Sequence, residues 1–148
     1  MGVTPYALVR LRDNEMKVFL GGTCNDSNWR NSLIGLLKID YFNPVVDDWT
    51  PDCMAEEIKQ RNECDFCLYV ITPKMTGVYS IAEVVDDSNK QPQKTIFCIL
   101  PTDNGLSFTD GQLKSLNQVG KMVKSNGGNW FGDLLTVAEF LNCEDLKC

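Results

Sequence analysis

The sequence predicts an α/β protein, a doubly wound, flavodoxin-like sandwich built on a mostly parallel sheet of four to five strands. Three observations carry that expectation. Short apolar runs alternate with segments of helical periodicity over residues 16–141, the spacing of βαβ units. Two of the runs, residues 66–71 (FCLYVI) and 96–100 (IFCIL), contain no charged residue, as strands buried on both faces require. Helix-start signals follow the strands: Thr50-Pro51-Asp52, Ser80-Ile81-Ala82-Glu83 and Thr109-Asp110-Gly111-Gln112. Right-handed crossovers between parallel strands then place helices on both faces.

Taken in order, residues 16–22 (MKVFLGG) form the first strand, expected at the centre of the sheet. Residues 26–38 carry Trp29, Leu33, Leu36 and Leu37 at helical spacing, with Asp26 or Ser27 as cap. A second strand over 41–46 is interrupted by Asn43-Pro44, which suits a sheet edge. Thr50 as cap, Pro51 at the first helical position and Asp52 in the first turn start a helix that runs to about Cys64. Asp65 opens the third strand, and 72–79 is a loop. Ser80 to Glu83 reads as a capping box opening the third helix. Residues 94–100 form a fourth strand. Thr109 and Gln112 make a second capping box, opening a helix to about Lys124. A turn over 126–129 precedes a last helix over 131–141. No repeat or linker interrupts the chain, so a single domain over 1–148 is expected.

The 148 residues are 43% apolar, enough for a core without staples. No apolar run approaches the roughly 18 to 20 residues that span a bilayer, and no charged n-region precedes an apolar stretch at the N-terminus. Gly2 is followed by Tyr6 where a myristoylation signal has Ser or Thr. These features predict a cytoplasmic protein without membrane contact. A net charge of −6 without a Lys/Arg stripe argues against nucleic acid as a partner. Seven scattered cysteines, an odd number, read as reduced thiols. Cys64-Asp65-Phe66-Cys67 is formally C-x-x-C, but no second pair accompanies it and the chain has no histidine, so neither a zinc site nor any other metal or cofactor is expected. The missing histidine also excludes Ser-His-Asp and Cys-His catalysis and leaves acid–base work to carboxylates, Tyr, Lys or Cys. The shallow crevice of so small a domain, with apolar residues to spare for an interface, predicts a homo-oligomer.

Ligands of doubly wound sheets sit outside the carboxyl ends of the strands, where strand order reverses. Here that crevice would lie between strands one and three, lined by Gly21-Gly22-Thr23 and by the loop up to Ser80. The loop over 21–27 is small and polar, and its amides suit an anion or a sugar hydroxyl. It is neither a G-x-G-x-x-G fingerprint nor a P-loop, and it reads equally as a tight turn that needs glycine. Glu83 has two readings. It closes the Ser80 capping box, or its carboxylate faces the crevice from the first turn, kept ionised by the positive helix end as a nucleophile requires.

The stretch Cys64-Asp65-Phe66-Cys67-Leu68-Tyr69-Val70-Ile71-Thr72-Pro73, followed by Gly77-Val78-Tyr79-Ser80-Ile81-Ala82-Glu83, resembles the signature of the nucleoside 2-deoxyribosyltransferases. Lys17-Val18-Phe19-Leu20-Gly21-Gly22 is similar to that family's first strand, and the likeness covers over half the chain. The stretches VFLGGTCNDSNWR, YFNPVVDDWT and GVYSIAEVVDDSN resemble a phage and bacterial branch described only as deoxyribosyltransferase-like. The resemblance implies that Glu83 is the nucleophile at C1′ of the sugar. It also implies that Glu57, eight positions before Asp65, contacts the base; Glu57 reads equally as a solvated helix acid beside Glu56 and Lys59. Asp65 matches the signature's strand-opening acid, and also suits a residue that satisfies local amides. Two positions depart from the pattern. Phe19 stands where the family has a Tyr whose hydroxyl holds the nucleophile, and Gly77 stands where a second Asp helps to protonate the base. Tyr79 offers a hydroxyl from the same loop. The best-known members complete the site from a neighbouring subunit, for which Asn126 and Asn129 are candidates. The implied activity is cleavage or exchange of the N-glycosidic bond of (deoxy)nucleosides or nucleotides through a glycosyl-Glu83 intermediate. The alternatives are a nucleoside-monophosphate N-glycosidase and a non-catalytic nucleotide-binding or regulatory module.

Overall fold

The computed structural model describes residues 16–24 and 26–146 of the chain, the side chains of 144–146 excepted. The first strand, β1 (Lys17–Gly22), ends on its two glycines. Gly22 has a φ of 118°, and a Cβ there would stand 2.0 Å from the carbonyl oxygen of Val70. Only glycine turns the chain at this point without moving the neighbouring strand. Gly22→Ala should therefore lower the unfolding free energy in urea by about 3 kcal/mol. Gly77, with nothing within 4 Å of the same added atom, should tolerate alanine within about 0.5 kcal/mol.

Helix α1 (Trp29–Ile34) is shorter than the 26–38 expected. Asp26 has a φ of 50°, outside the helical region, and Leu36 is exposed rather than part of the buried stripe. β2 (Asp40–Phe42) stops before Asn43, whose side-chain oxygen accepts from Val45 N at 3.1 Å and bends the chain away. Helix α2 (Pro51–Glu63) starts as its sequence dictates, with Thr50 Oγ1 accepting from Cys53 N. None of its residues is fully buried. β3 (Phe66–Ile71) is buried throughout.

Helix α3 (Tyr79–Lys90) begins two residues earlier than a Ser80 cap would place it. Its cap position is Val78, without a side-chain cap hydrogen bond. The Ser80 capping box is therefore not formed, and Glu83 is the fifth helical residue rather than a cap partner. β4 (Thr95–Ile99) follows a short 3₁₀ turn. A small antiparallel hairpin, β5 (Thr102–Asp103) and β6 (Leu106–Ser107), was not expected. Its turn residues Asn104 and Gly105 both have positive φ, the Asn-Gly chemistry of a tight hairpin. Helix α4 (Asp110–Ser125) carries the expected Thr109–Gln112 capping box. β7 (Asn129–Phe131) lies where a turn running into a helix was expected and pairs with β4. The last helix, α5 (Leu134–Leu146), starts after Asp133, whose carboxylate accepts from Thr136 N at 2.7 Å.

The five strands β2-β1-β3-β4-β7 form one sheet in that order, every pairing parallel. This is the flavodoxin-like α/β fold. The additional strand β7 makes β3, rather than β1, the middle one. Alternation along each strand divides the core in two. Val18, Leu20, Leu68 and Val70 meet Trp29 and Leu33 of α1 and Val137 and Leu141 of α5. Phe19, Tyr69 and Phe97 meet Val84 of α3 and Leu116 and Val123 of α4. No helix among the described residues is long and apolar enough to cross a membrane.

Cys53, Cys64, Cys67 and Cys98 are free thiols, whereas Cys143 is disulfide-bonded, which departs from the expectation of seven reduced thiols. Cys64 faces Gln60 Oε1 and Cys67 donates to the Arg61 carbonyl. Burial pushes these two thiols up to about 11 and about 12, so neither is a thiolate nucleophile at neutral pH.

Candidate active site

The parallel order reverses between β1 and β3, and the chain opens there into a cavity of about 600 Å³, within the usual range for small-molecule sites. Its floor is the end of β1. Gly21 lies against the Tyr69 ring, 2.8 Å from where a Cβ would be, so a side chain there would have to displace the ring. Thr23 ties the two strand ends together: its amide donates to Val70 O at 2.9 Å and its hydroxyl accepts from Thr72 N at 3.0 Å. Arg30, buried but reaching the same cavity, donates to the carbonyls of Leu20, Gly22 and Thr23. Its guanidinium stacks on Trp29 at 4.4 Å. Among the described residues no carboxylate forms an ion pair with it. Desolvation lowers its pKa to about 10, which still leaves it charged at neutral pH.

α3 supplies the wall that carries Tyr79, Ser80 and Glu83. α2 supplies Glu57 and Arg61, and the loop before it supplies Val45, Val46 and Trp49. Glu57 and Arg61 are four residues apart and so share one face of α2. Trp49 Nε1 donates to Glu57 Oε2 at 3.2 Å and orients that carboxylate. The Glu83 side chain is 20% exposed, and Arg61 Nη1 lies 3.6 Å from its Oε2. Burial pushes Glu83 above the usual carboxylate range; Arg61 opposes the shift, and Asp87 and Glu57 add to it. The expectation that the helix end keeps Glu83 ionised is thus corrected. The carboxylate lies past the first turn, where that field has faded, and its counter-charge is a side chain from another helix.

Arg61 is itself tightly held. Its Nε and Nη2 donate to the two oxygens of Asp87 at 3.1 and 2.8 Å, and Tyr69 OH donates to Asp87 at 2.6 Å. Burial works against the cation, but Asp87 outweighs it and holds Arg61 above its usual value. Burial first, and then the hydrogen bond to Asp87, raise Tyr69, which stays a neutral phenol.

Glu83, Glu57, Phe19, Gly21, Gly22 and Tyr79 all line the one cavity. Thr23 and Gly77 border a smaller recess of about 180 Å³ beside it, which Tyr79 also reaches. Phe19 is 4% exposed and stacks on Phe42 at 5.9 Å, offering the cavity only ring carbons. Asp65 is not brought to the site. It precedes β3, at the opposite strand end, and its Oδ2 accepts from Lys17 N at 2.9 Å. Asn126 and Asn129 are also away from the cavity, donating to Ser88 Oγ and Thr95 O. Sequence reasoning passed over Arg61, Arg30 and Trp49. Arg61 had a signal, its i+4 spacing from Glu57. Trp49 stands in a loop with no periodicity to mark it.

The family described as "Nucleoside 2-deoxyribosyltransferase like" matches residues 15–102, a span that begins before β1 and contains Glu57, Arg61 and Glu83. The chain belongs to the nucleoside 2-deoxyribosyltransferase-like family. The curated proteins contain no match to it. Membership in this family points to deoxyribosyltransferase-like function, with a nucleoside-type small molecule as substrate. The matched span also holds all three walls of the cavity, whereas α4, β7 and α5 fall outside it.

Proposed function

We propose that the protein cleaves or exchanges the N-glycosidic bond of a (deoxy)nucleoside or nucleotide by double displacement at C1′. The observation that carries this reading is the meeting of two carboxylates from different helices, Glu83 and Glu57, in one cavity at the switch point. In the first step a Glu83 oxygen bonds to C1′ while the C1′–N bond breaks and its electron pair leaves with the base. Glu57, in its acid form, delivers a proton to that base. In the second step another base or water attacks C1′, Glu57 takes back a proton, and the ester breaks to return the Glu83 carboxylate. The apolar faces of Trp49, Val45, Val46 and Ile58 on the same cavity suit the flat face of a nucleobase. Incubation with mixed nucleosides and free bases, read by chromatography, should show released or exchanged base. Tight binding without either product would support the non-catalytic module instead.

A second reading, hydrolysis of a nucleoside monophosphate, is favoured by Arg30. Its cation lines the cavity beside Gly21 and Gly22, held by carbonyls and unmatched by a described carboxylate. An anionic substituent at that floor gains a charge-assisted interaction. On this reading a 5′-monophosphate should bind about tenfold or more tighter than its nucleoside by titration calorimetry. Equal affinities would remove it.

A further inference from the structure

We infer that Arg61 is the positioning residue for Glu83, holding its carboxylate in place and in the charged form through a guanidinium that the core of the sheet orients. The inference rests on the nucleophile reading of Glu83 for its catalytic consequence, but not for its electrostatic one. The anchor is Asp87, whose side chain is 4% exposed. Both of its oxygens engage the Arg61 fork, and Oδ2 also accepts from Tyr69, a fully buried residue of the middle strand. Gln91 Nε2 adds a donor at 3.2 Å. The plane of the guanidinium is therefore set by groups that cannot move without disturbing the sheet, and its Nη1 faces Glu83 Oε2. Phe19, on the β1 side of the cavity, has no polar group to take on that task.

Glu83 and Asp87 lie four residues apart on one face of α3, an arrangement in which like charges repel. The groups facing Glu83 are Arg61 and Glu57 from α2 and Asp87 from its own helix. Asp86 is engaged by Arg61 and Lys90, and β3 contributes only the neutral phenol of Tyr69. Among the described residues, Arg61 is thus the cation that acts on Glu83, against the carboxylates of Asp87 and Glu57. Without it, Glu83, already pushed upward by burial, would be the group that takes up a proton.

The test is a titration of the Glu83 side-chain carboxyl by carbon-13 NMR, assigned with Glu83→Gln, in wild type, Arg61→Met and Arg61→Lys. Arg61→Met should raise the Glu83 midpoint by about one pH unit or more. The acid limb of kcat/KM should move up with it. Arg61→Lys, which keeps the charge, should return the midpoint most of the way to wild type. Arg61→Met leaves Asp87 buried with only neutral donors, so the comparison is repeated on an Asp87→Asn background, where no buried charge is orphaned. An unchanged midpoint in a folded Arg61→Met protein on either background overturns the inference. So does an acid limb that stays put while the midpoint moves. A shifted midpoint in a protein whose wild type turns over no nucleoside upholds the control of Glu83 by Arg61 and removes the nucleophile reading instead.

Discussion

Glu83→Gln is expected to abolish turnover, by on the order of 10⁴-fold or more in kcat, while the protein stays folded. Gln has nearly the shape of Glu but no carboxylate oxygen to form an ester at C1′, so ligand binding should survive where chemistry does not. The same variant tests the fold. Above its ordinary value of 4.5, the folded state holds the Glu83 proton more tightly than the unfolded state does. Stability then falls as pH rises through that interval. Wild type carries this cost at neutral pH and the Gln variant does not. Glu83→Gln should therefore melt at a higher temperature at pH 7, with the gap closing as the pH falls below 4.5. A slow 2-fluoro sugar analogue should leave an adduct on the Glu83 peptide of wild type alone, seen by mass spectrometry. A Gln variant that is active, or clearly less stable at pH 7, would make Glu83 a structural partner of Arg61 and nothing more.

Glu57→Ala is the second large effect. If Glu57 delivers the proton to the departing base, its loss should lower kcat by about 10²- to 10⁴-fold for poor leaving groups. Substrates whose base leaves readily without help should suffer far less. Stability should change by no more than about 0.5 kcal/mol, because α2 contributes no fully buried residue and the Glu57 carboxylate, among the described residues, accepts from the exposed Trp49 indole alone. Equal losses with both kinds of substrate would show that Glu57 shapes the cavity without moving a proton.

Much of this architecture is legible in the chain because the physics that decides it is local. The apolar runs of β3 and β4 are buried from end to end because both faces of an inner parallel strand are covered. Thr50 and Thr109 cap their helices since each bonds an amide three residues away. The glycines after Leu20 mark the switch point and Glu83 can be read as facing it, whereas Glu57 stands out through the family resemblance alone. What the chain alone could not decide depends on partners far along it. α3 begins at Tyr79 because the backbone at Val78 turns there without help from Ser80, so the apparent capping box dissolves. β7 is three residues long, too short for a period, and exists because β4 offers it an open edge. Asp65 and Glu83 flank the same strand but lie at its opposite ends, a separation that residue spacing does not express. Arg61 reads as one more charge on an exposed helix until the fold sets Asp87 of α3, itself bonded by Tyr69 of β3, against it. Periodicity reports which face a residue occupies, whereas the charge state of Glu83 is set by groups that only the packing of α2, α3 and β3 brings within reach.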